Sequence, residues 1–267
     1  MRTDMFSLEG RVALVTGGSR GIGKMIAEGF LLAGCERVYI SARKAGPCDA
    51  TAAELSERTG RSCISIPIDI STVEGAQRLA KEVSEREGGK LDILVNNAGA
   101  AWLAPFGEFP EAGWDKVMNL NVKSPFFLTQ ALHGALTAAG TFEKPSKVIN
   151  IASIDGQRPN PQETYSYQAS KAGVIHLTRR LAATLIKDNI VVTAICPGAF
   201  ASEMNTTARD DAAEVSKRIP YARIGEPEDM AGPAVFLASR AGDYLVGTAL
   251  TIDGGIVASA QASSFGV

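Results

Sequence analysis

The apolar positions of this chain follow two alternating patterns. Residues 11–17, RVALVTG, form a short apolar run rich in β-branched side chains that breaks at glycine, the signature of a strand buried on both faces. Residues 23–34, GKMIAEGFLLAG, then space their apolar positions helically, and RVYISA (37–42) returns to a strand. The strand-then-turn signal recurs at 62–68 (SCISIPI), 91–97 (LDILVNN), 147–153 (KVINIAS), 190–198 (IVVTAICPG) and 248–253 (TALTID). Helical spacing fills the intervals at 75–87, at 114–139, from about Tyr165 onward, and around PEDMAGPAVFLAS (227–239). Strands alternating with helices predict an α/β chain with a doubly wound parallel sheet of about seven strands, covered by helices on both faces. Ligands of such sheets lie at the carboxyl ends of the strands.

Composition narrows this picture. The 267 residues contain no linker-like tract and no repeat, so a single domain over 1–267 is expected. With 27 basic and 29 acidic residues and no basic stripe, nucleic acid is not an expected partner. No apolar run is long enough for a bilayer, and the start MRTDMFSLEG has no apolar core of a signal peptide. The cysteines, Cys35, Cys48, Cys63 and Cys196, form no CxxC pair and no cluster with His133 or His176. The expectation is a reduced, cytoplasmic protein without a metal site, its two histidines serving in packing.

The unusual residues sit where the strands end. TGGSRGIG (16–23) joins the first strand to the first helix. There Gly17 permits a tight turn, Gly21 lets backbone approach a pyrophosphate, and Gly23 allows close helix–strand packing. The turn, with Ser19 and Ile22, is therefore a candidate nucleotide cradle. The second strand ends in YISARK without the acid that grips a ribose 2′-hydroxyl, and places Arg43 twenty positions after Gly23. Arg43 together with Arg20 suits the 2′-phosphate of NADP(H). Asp69, followed by Ile70 past the third strand, either accepts from an adenine amino group or caps the next helix. In ETYSYQASKAG (163–173), Tyr167 and Lys171 are four apart and share a helix face, whereas Tyr165 points elsewhere. Tyr167 is thus the candidate for acid–base work.

TGGSRGIG, NNAG (96–99), Asn121, Ser153, YQASK (167–171) and PG (197–198) occur in this order. The ordered set resembles the short-chain dehydrogenase/reductase family, with similarity from about residue 8 to 255. FSLEGRVALVTGGSRGIGKMIAEG and GWDKVMNLNV look most like bacterial NADPH-dependent 3-oxoacyl (β-ketoacyl) reductases, including the rhamnolipid-associated type. Sugar-acid and polyol dehydrogenases share much of both stretches. The resemblance implies a Rossmann fold and an oxidoreductase that reduces a ketone to a secondary alcohol. Tyr167 would donate the proton. Lys171 would lower the pKa of Tyr167 and hold the nicotinamide ribose, Ser153 would bind the carbonyl oxygen, and Asn121 would hold a water for proton resupply. Asn97, Ala98 and Gly99 would pass the adenine ribose, and Pro197, Gly198, Phe200 and Ser202 the nicotinamide.

One departure stands out: the interval from Ser153 to Tyr167 is one residue longer than is usual in the family. Segments 100–109, 155–163 and 200–220 are expected to line the substrate cleft, with Trp102, Tyr165 and Met204 as walls, a lid around 198–220 that includes an amphipathic helix, and a short tail after 255. Relatives assemble through helices corresponding to 111–139 and 165–188, so a homodimer or homotetramer is expected. A sugar-acid or polyol dehydrogenase is the alternative within enzymes. A catalytically silent nucleotide-binding regulatory protein is the alternative outside them.

Overall fold

Leu14 faces one side of the sheet while Ala13 and Val15 face the other, and all of them are fully buried. This is why the first strand reads as an unbroken apolar run rather than an alternation. The computed structural model describes residues 4–202 and 206–259. Met204 lies outside the described residues. The strands are β1 (Val12–Thr16), β2 (Arg37–Ala42), β3 (Ser62–Pro67), β4 (Ile93–Asn96), β5 (Ser146–Ile151), β6 (Ile190–Pro197) and β7 (Ala249–Ile252). They form one seven-stranded sheet in the order β3-β2-β1-β4-β5-β6-β7, parallel throughout. From β1 the chain runs outward to β3, then crosses back to β4 on the other side of β1. That reversal opens a crevice at the carboxyl ends of β1 and β4.

On one face pack α1 (Gly21–Leu32), α2 (Ala45–Thr59) and α10 (Pro227–Ala238), around Ile26, Phe30, Leu55 and Met230. On the other lie α3 (Val73–Arg86), α5 (Ser124–Ala131), α6 (His133–Ala139) and α7 (Tyr165–Leu185), around Leu79, Val83, Leu128 and Leu185. The helix-like stretch 114–139 is not continuous. It comprises α4 (Glu111–Met118), a π-helical segment Asn119–Lys123, α5, and, after a break at Leu132, α6. The amide of Ser124 bonds back to the carbonyl of Asn119, five residues earlier. Pro125 explains the wider turn, because its ring offers no N–H and collides with the carbonyl four residues back.

Two short helices, α8 (Thr206–Asp210) and α9 (Ala212–Ser216), stand where the amphipathic pattern of 200–220 suggested one. Asp211 interrupts them, its carboxylate accepting from the Glu214 amide to start α9. The histidines are not core fillers: His176 is exposed, and His133 pairs with Asp188 at 3.0 Å near the surface. All four cysteines are buried and free. Among the described residues, no helix is long and apolar enough to cross a membrane.

Candidate active site

The glycine turn follows β1. Gly17 and Gly21 have φ of +66° and +52°, a region that side chains rarely adopt. A β-carbon on Gly23 would stand 2.3 Å from the Gly17 carbonyl oxygen, so the helix meets the turn without a gap. Arg20 is the N-cap residue of α1, but no side chain caps the helix and its first turn holds no acid. The amides at the start of α1 are thus available to an anion. Arg20 and Arg43 are both exposed, and neither has an ion-pair partner among the described residues. A bare helix start beside two unpaired guanidiniums fits a dinucleotide with an additional phosphate.

Two side chains brace this turn from outside it. Thr16 Oγ1 accepts from the amides of Asn97 (3.0 Å) and Ala98 (3.1 Å) and donates to the Val95 carbonyl. Asn97 Nδ2 donates to the carbonyls of Thr16 (2.8 Å) and Gly17 (3.2 Å). The Asn97 side chain therefore serves the protein, leaving backbone at 97–99 to face a ligand. The carbonyl of Ser19 accepts from Thr51 Oγ1 on α2 at 2.8 Å. Ile22 packs against the core beneath the turn, as Ile70 does beyond β3. Asp69 is exposed and accepts from the Ser71 amide, while Thr72, not Asp69, caps α3. The capping alternative for Asp69 is thereby corrected.

After β6, the ring of Phe200 is buried against Gly225, and Gly198 lies against Asp253 where a β-carbon would be only 2.8 Å from Asp253 Cα. Pro197 ends the strand. Ser202 reaches back to the glycine turn, its Cβ 3.2 Å from where a β-carbon on Gly21 would stand.

Tyr167 lies in the first turn of α7. Its ring edge is partly accessible, but protein encloses the hydroxyl, and this loss of solvent pushes the phenol up to about 12, against the Ser153 hydroxyl, which favours the phenolate. Burial acts oppositely on Lys171, bringing its ammonium down to about 8. Lys171 Nζ donates to the Ile151 carbonyl at 2.7 Å and stands 5.5 Å from the centre of the Tyr167 ring. Desolvation dominates the phenol in this arrangement.

The depressed lysine has a measurable consequence. Holding Lys171 charged at pH 7 costs on the order of 3 kcal/mol, given its fall from 10.5 to about 8. Lys171→Met removes that cost and leaves the Ile151 carbonyl unpaired, a penalty of about 1–2 kcal/mol. The variant is expected to melt at a higher temperature than the wild type below pH 8. The advantage fades as pH rises through about 8 toward the lysine's ordinary value, where the wild type sheds the charge. Paired melting curves across this range check it; a lower melting temperature for the variant at pH 7 would refute the account.

Ser153 ends the β5 loop, and its Oγ accepts from the Asp155 amide at 3.1 Å, starting a single 3-10 turn over Ile154–Gly156. Gly156 lies against the α7 backbone at Lys171, where a β-carbon would be 2.5 Å from the Lys171 carbonyl carbon. Despite the longer interval, Ser153 and Tyr167 meet. Asn121, in the π-helical segment, accepts from the Ala100 amide (2.8 Å) and donates to the Ala100 carbonyl and to Ser170 Oγ, both at 2.9 Å. Both of its N–H donors are thus used within the protein. Its Oδ1 and the Lys171 ammonium converge on Gly99, at 3.3 and 3.8 Å from where a β-carbon there would stand.

Trp102 packs against α4. Its indole lies against Gly113 of α4, under the Lys116 ammonium at 5.1 Å, because the glycine leaves room for the ring. Phe106, Phe109, Pro110, Glu111, Trp114 and Tyr165 line an open pocket of about 570 Å³.

A family model described as enoyl-(acyl carrier protein) reductase matches residues 17–257. The chain belongs to the short-chain dehydrogenase/reductase family. It is 46% identical to the rhamnolipids biosynthesis 3-oxoacyl-(acyl-carrier-protein) reductase of Pseudomonas aeruginosa, over 94% of this chain and 97% of that one. It is 41% identical to the 2-dehydro-3-deoxy-D-gluconate 5-dehydrogenase of Escherichia coli, over 95% of this chain and 98% of that one. Among solved structures, the Pseudomonas aeruginosa RhlG/NADP active-site complex matches with a TM-score of 0.91 at 45% identity, covering 96% of this chain and 99% of that one.

Several residues that hold the site of this short-chain dehydrogenase/reductase in shape escaped the sequence reading. Ser170 joins Asn121 to the Tyr167 carbonyl, to which it donates at 2.7 Å. A buried chain runs from Thr129 through Asn96 and Asn150 to Thr178, its links 2.9–3.2 Å long. It ties β4 and β5 to α5 and α7 one residue before Asn97 and Ile151. Asp155 is half-buried near the tyrosine and the lysine, and its charge acts on both. Apart from the adjoining motifs, no spacing rule marks these residues, because each partner is distant in the chain.

Proposed function

We propose that this enzyme reduces a ketone, of the 3-oxoacyl type, to a secondary alcohol with NADPH. The observation that carries the reading is the meeting of Tyr167, Ser153 and Lys171 at the end of β5, together with a glycine turn and the exposed Arg20 and Arg43, which have no ion-pair partner among the described residues. NADPH, when bound, supplies hydride to the carbonyl carbon. Arg20 and Arg43 hold its 2′-phosphate, the amides of Gly21, Ile22 and Gly23 its pyrophosphate, and Asp69 its adenine amino group. Backbone at Asn97–Gly99 and at Gly198–Ser202 supports the two ribosyl ends.

Tyr167 gives its proton to the carbonyl oxygen, so ketone, hydride and proton together make the alcohol and leave NADP⁺. With its pKa at about 12, the tyrosine holds that proton throughout the neutral range. Ser153 donates a hydrogen bond to the oxygen as charge grows there. The ammonium of Lys171, over the ring, stabilises the phenolate until solvent protons return past Asn121.

The 41% identity to a 2-dehydro-3-deoxy-D-gluconate 5-dehydrogenase supports a second reading, in which the substrate is a sugar acid. A silent regulatory protein is disfavoured by the presence of tyrosine, lysine and serine together. The same reading includes a cytoplasmic protein that self-associates through α4–α6 and α7 as a dimer or tetramer.

Following cofactor absorbance with a 3-oxoacyl thioester, with NADPH and NADH in parallel, tests the proposal. Turnover with NADPH is expected. Preference for NADH would reject the phosphate site, and silence with thioesters alongside turnover of sugar acids would favour the second reading.

A further inference from the structure

Resting on the reductase reading above, we propose that the cleft selects uncharged ketones carrying an apolar chain and turns away carboxylate-bearing sugar acids. The chain lies in the aromatic cavity of Phe106, Phe109, Trp114 and Tyr165, and Asp155 with Glu163 and Glu111 repels the carboxylate.

The pocket neighbours the reaction centre along the chain. Tyr165 forms one wall from the first turn of α7, two residues before Tyr167. Its ring meets Phe106 and Phe109 edge-on, each at 5.7 Å between centres, and Phe109 meets Trp114 at 6.5 Å. Glu163 fixes the arrangement, accepting from the Tyr165 hydroxyl at 2.9 Å and from the Phe106 amide at 3.1 Å. Phe106 is 80% exposed and Trp114 42% exposed, so apolar ring surface faces water at a substrate entrance. The volume, about 570 Å³, suits a medium-length alkyl chain.

Charge points the same way. The carboxylate lining the pocket is Glu111, Glu163 accepts from the Tyr165 hydroxyl on its wall, and Asp155 is tied by its amide to Ser153 Oγ beside Tyr167. Of the neighbouring cations, Lys116 is engaged over Trp102, and Arg158 points from the exposed loop without a described ion-pair partner. A substrate carboxylate at this entrance meets like charges, whereas a thioester meets rings.

The test compares kcat/KM with NADPH for N-acetylcysteamine thioesters of 3-oxo acids of increasing chain length, for 2-dehydro-3-deoxy-D-gluconate, and for a small neutral ketone. Calorimetric binding of the medium-chain thioester to the NADP⁺-loaded protein is measured beside it. The expected result is a rise of about fourfold per added methylene until the cavity fills, with the sugar acid poorest. Phe109→Ala and Trp114→Ala should each cut the long-to-short ratio about tenfold, and Asp155→Asn should improve the sugar acid severalfold. A flat chain-length profile, or the sugar acid as best substrate, overturns the inference while turnover of the neutral ketone keeps the reductase reading. Thioester binding that depends on chain length and on Phe109, without turnover of any ketone, upholds the cavity and rejects the reading. Absence of both rejects both. If Phe109→Ala and Trp114→Ala change the oligomeric state but leave the profile intact, the cavity is a contact between subunits and the inference falls. Loss of sugar-acid activity in Arg158→Gln, from a protein active on sugar acids, would show a carboxylate held at this entrance and overturns the charge argument.

Discussion

Tyr167→Phe is expected to lower kcat by roughly a thousandfold while NADPH binds as before. The ring, its packing and the neighbouring Lys171 remain; what disappears is the proton whose pKa burial holds at about 12. No other side chain replaces it: the Ser153 hydroxyl is an alcohol, far less acidic than a phenol, and Lys171 Nζ donates to the Ile151 carbonyl. Tyr165→Phe provides the internal comparison. It removes a hydroxyl that donates to Glu163, on the wall of the aromatic cavity, so its effect should fall on KM. Single-turnover kinetics together with cofactor titration separate the two. Equal losses of kcat in both variants would mean that the acid has been misassigned.

Replacing Arg20 and Arg43 by Ala should raise the KM for NADPH about tenfold each and leave that for NADH unchanged. Both guanidiniums flank the glycine turn, exposed and without an ion-pair partner among the described residues, and the strand that precedes Arg43 ends without an acid. Nothing in the fold rests on either, so the melting temperature should hold. The loss should be steeper at low salt, where screening of the phosphate is weakest. A parallel rise for NADH would show that the arginines support the turn itself, and the 2′-phosphate assignment would fall.

Much of the scaffold was legible in the chain. β1, β5 and β6 announce themselves as apolar β-branched runs, and α7 begins at Tyr165 as the spacing indicated. The stretch 114–139 shows the limit of such reading. Its apolar period continues through the π-helical segment, because one widened turn hardly alters the pattern, although Pro125 was a visible cause. Trp102 shows it too: its indole packs on Gly113, a residue of another element that spacing along the chain does not reveal.

The sequence by itself determined the order of strands and helices, the glycine turn, the absence of an acid after β2 and the four-residue interval of Tyr167 and Lys171. These are local properties, set by period, backbone freedom and spacing along one helix. Tertiary structure alone decided that Asn121 spends its amide on Ala100 and Ser170, and that a line of buried polar groups from Thr129 to Thr178 aligns β4 with β5. It also decided the ionisation of Tyr167 and Lys171, raising the phenol to about 12 and lowering the ammonium to about 8. Desolvation is imposed by whatever packs around a group, and here that includes β5 and the 154–156 turn, contributed by chain that lies well before the helix bearing the pair.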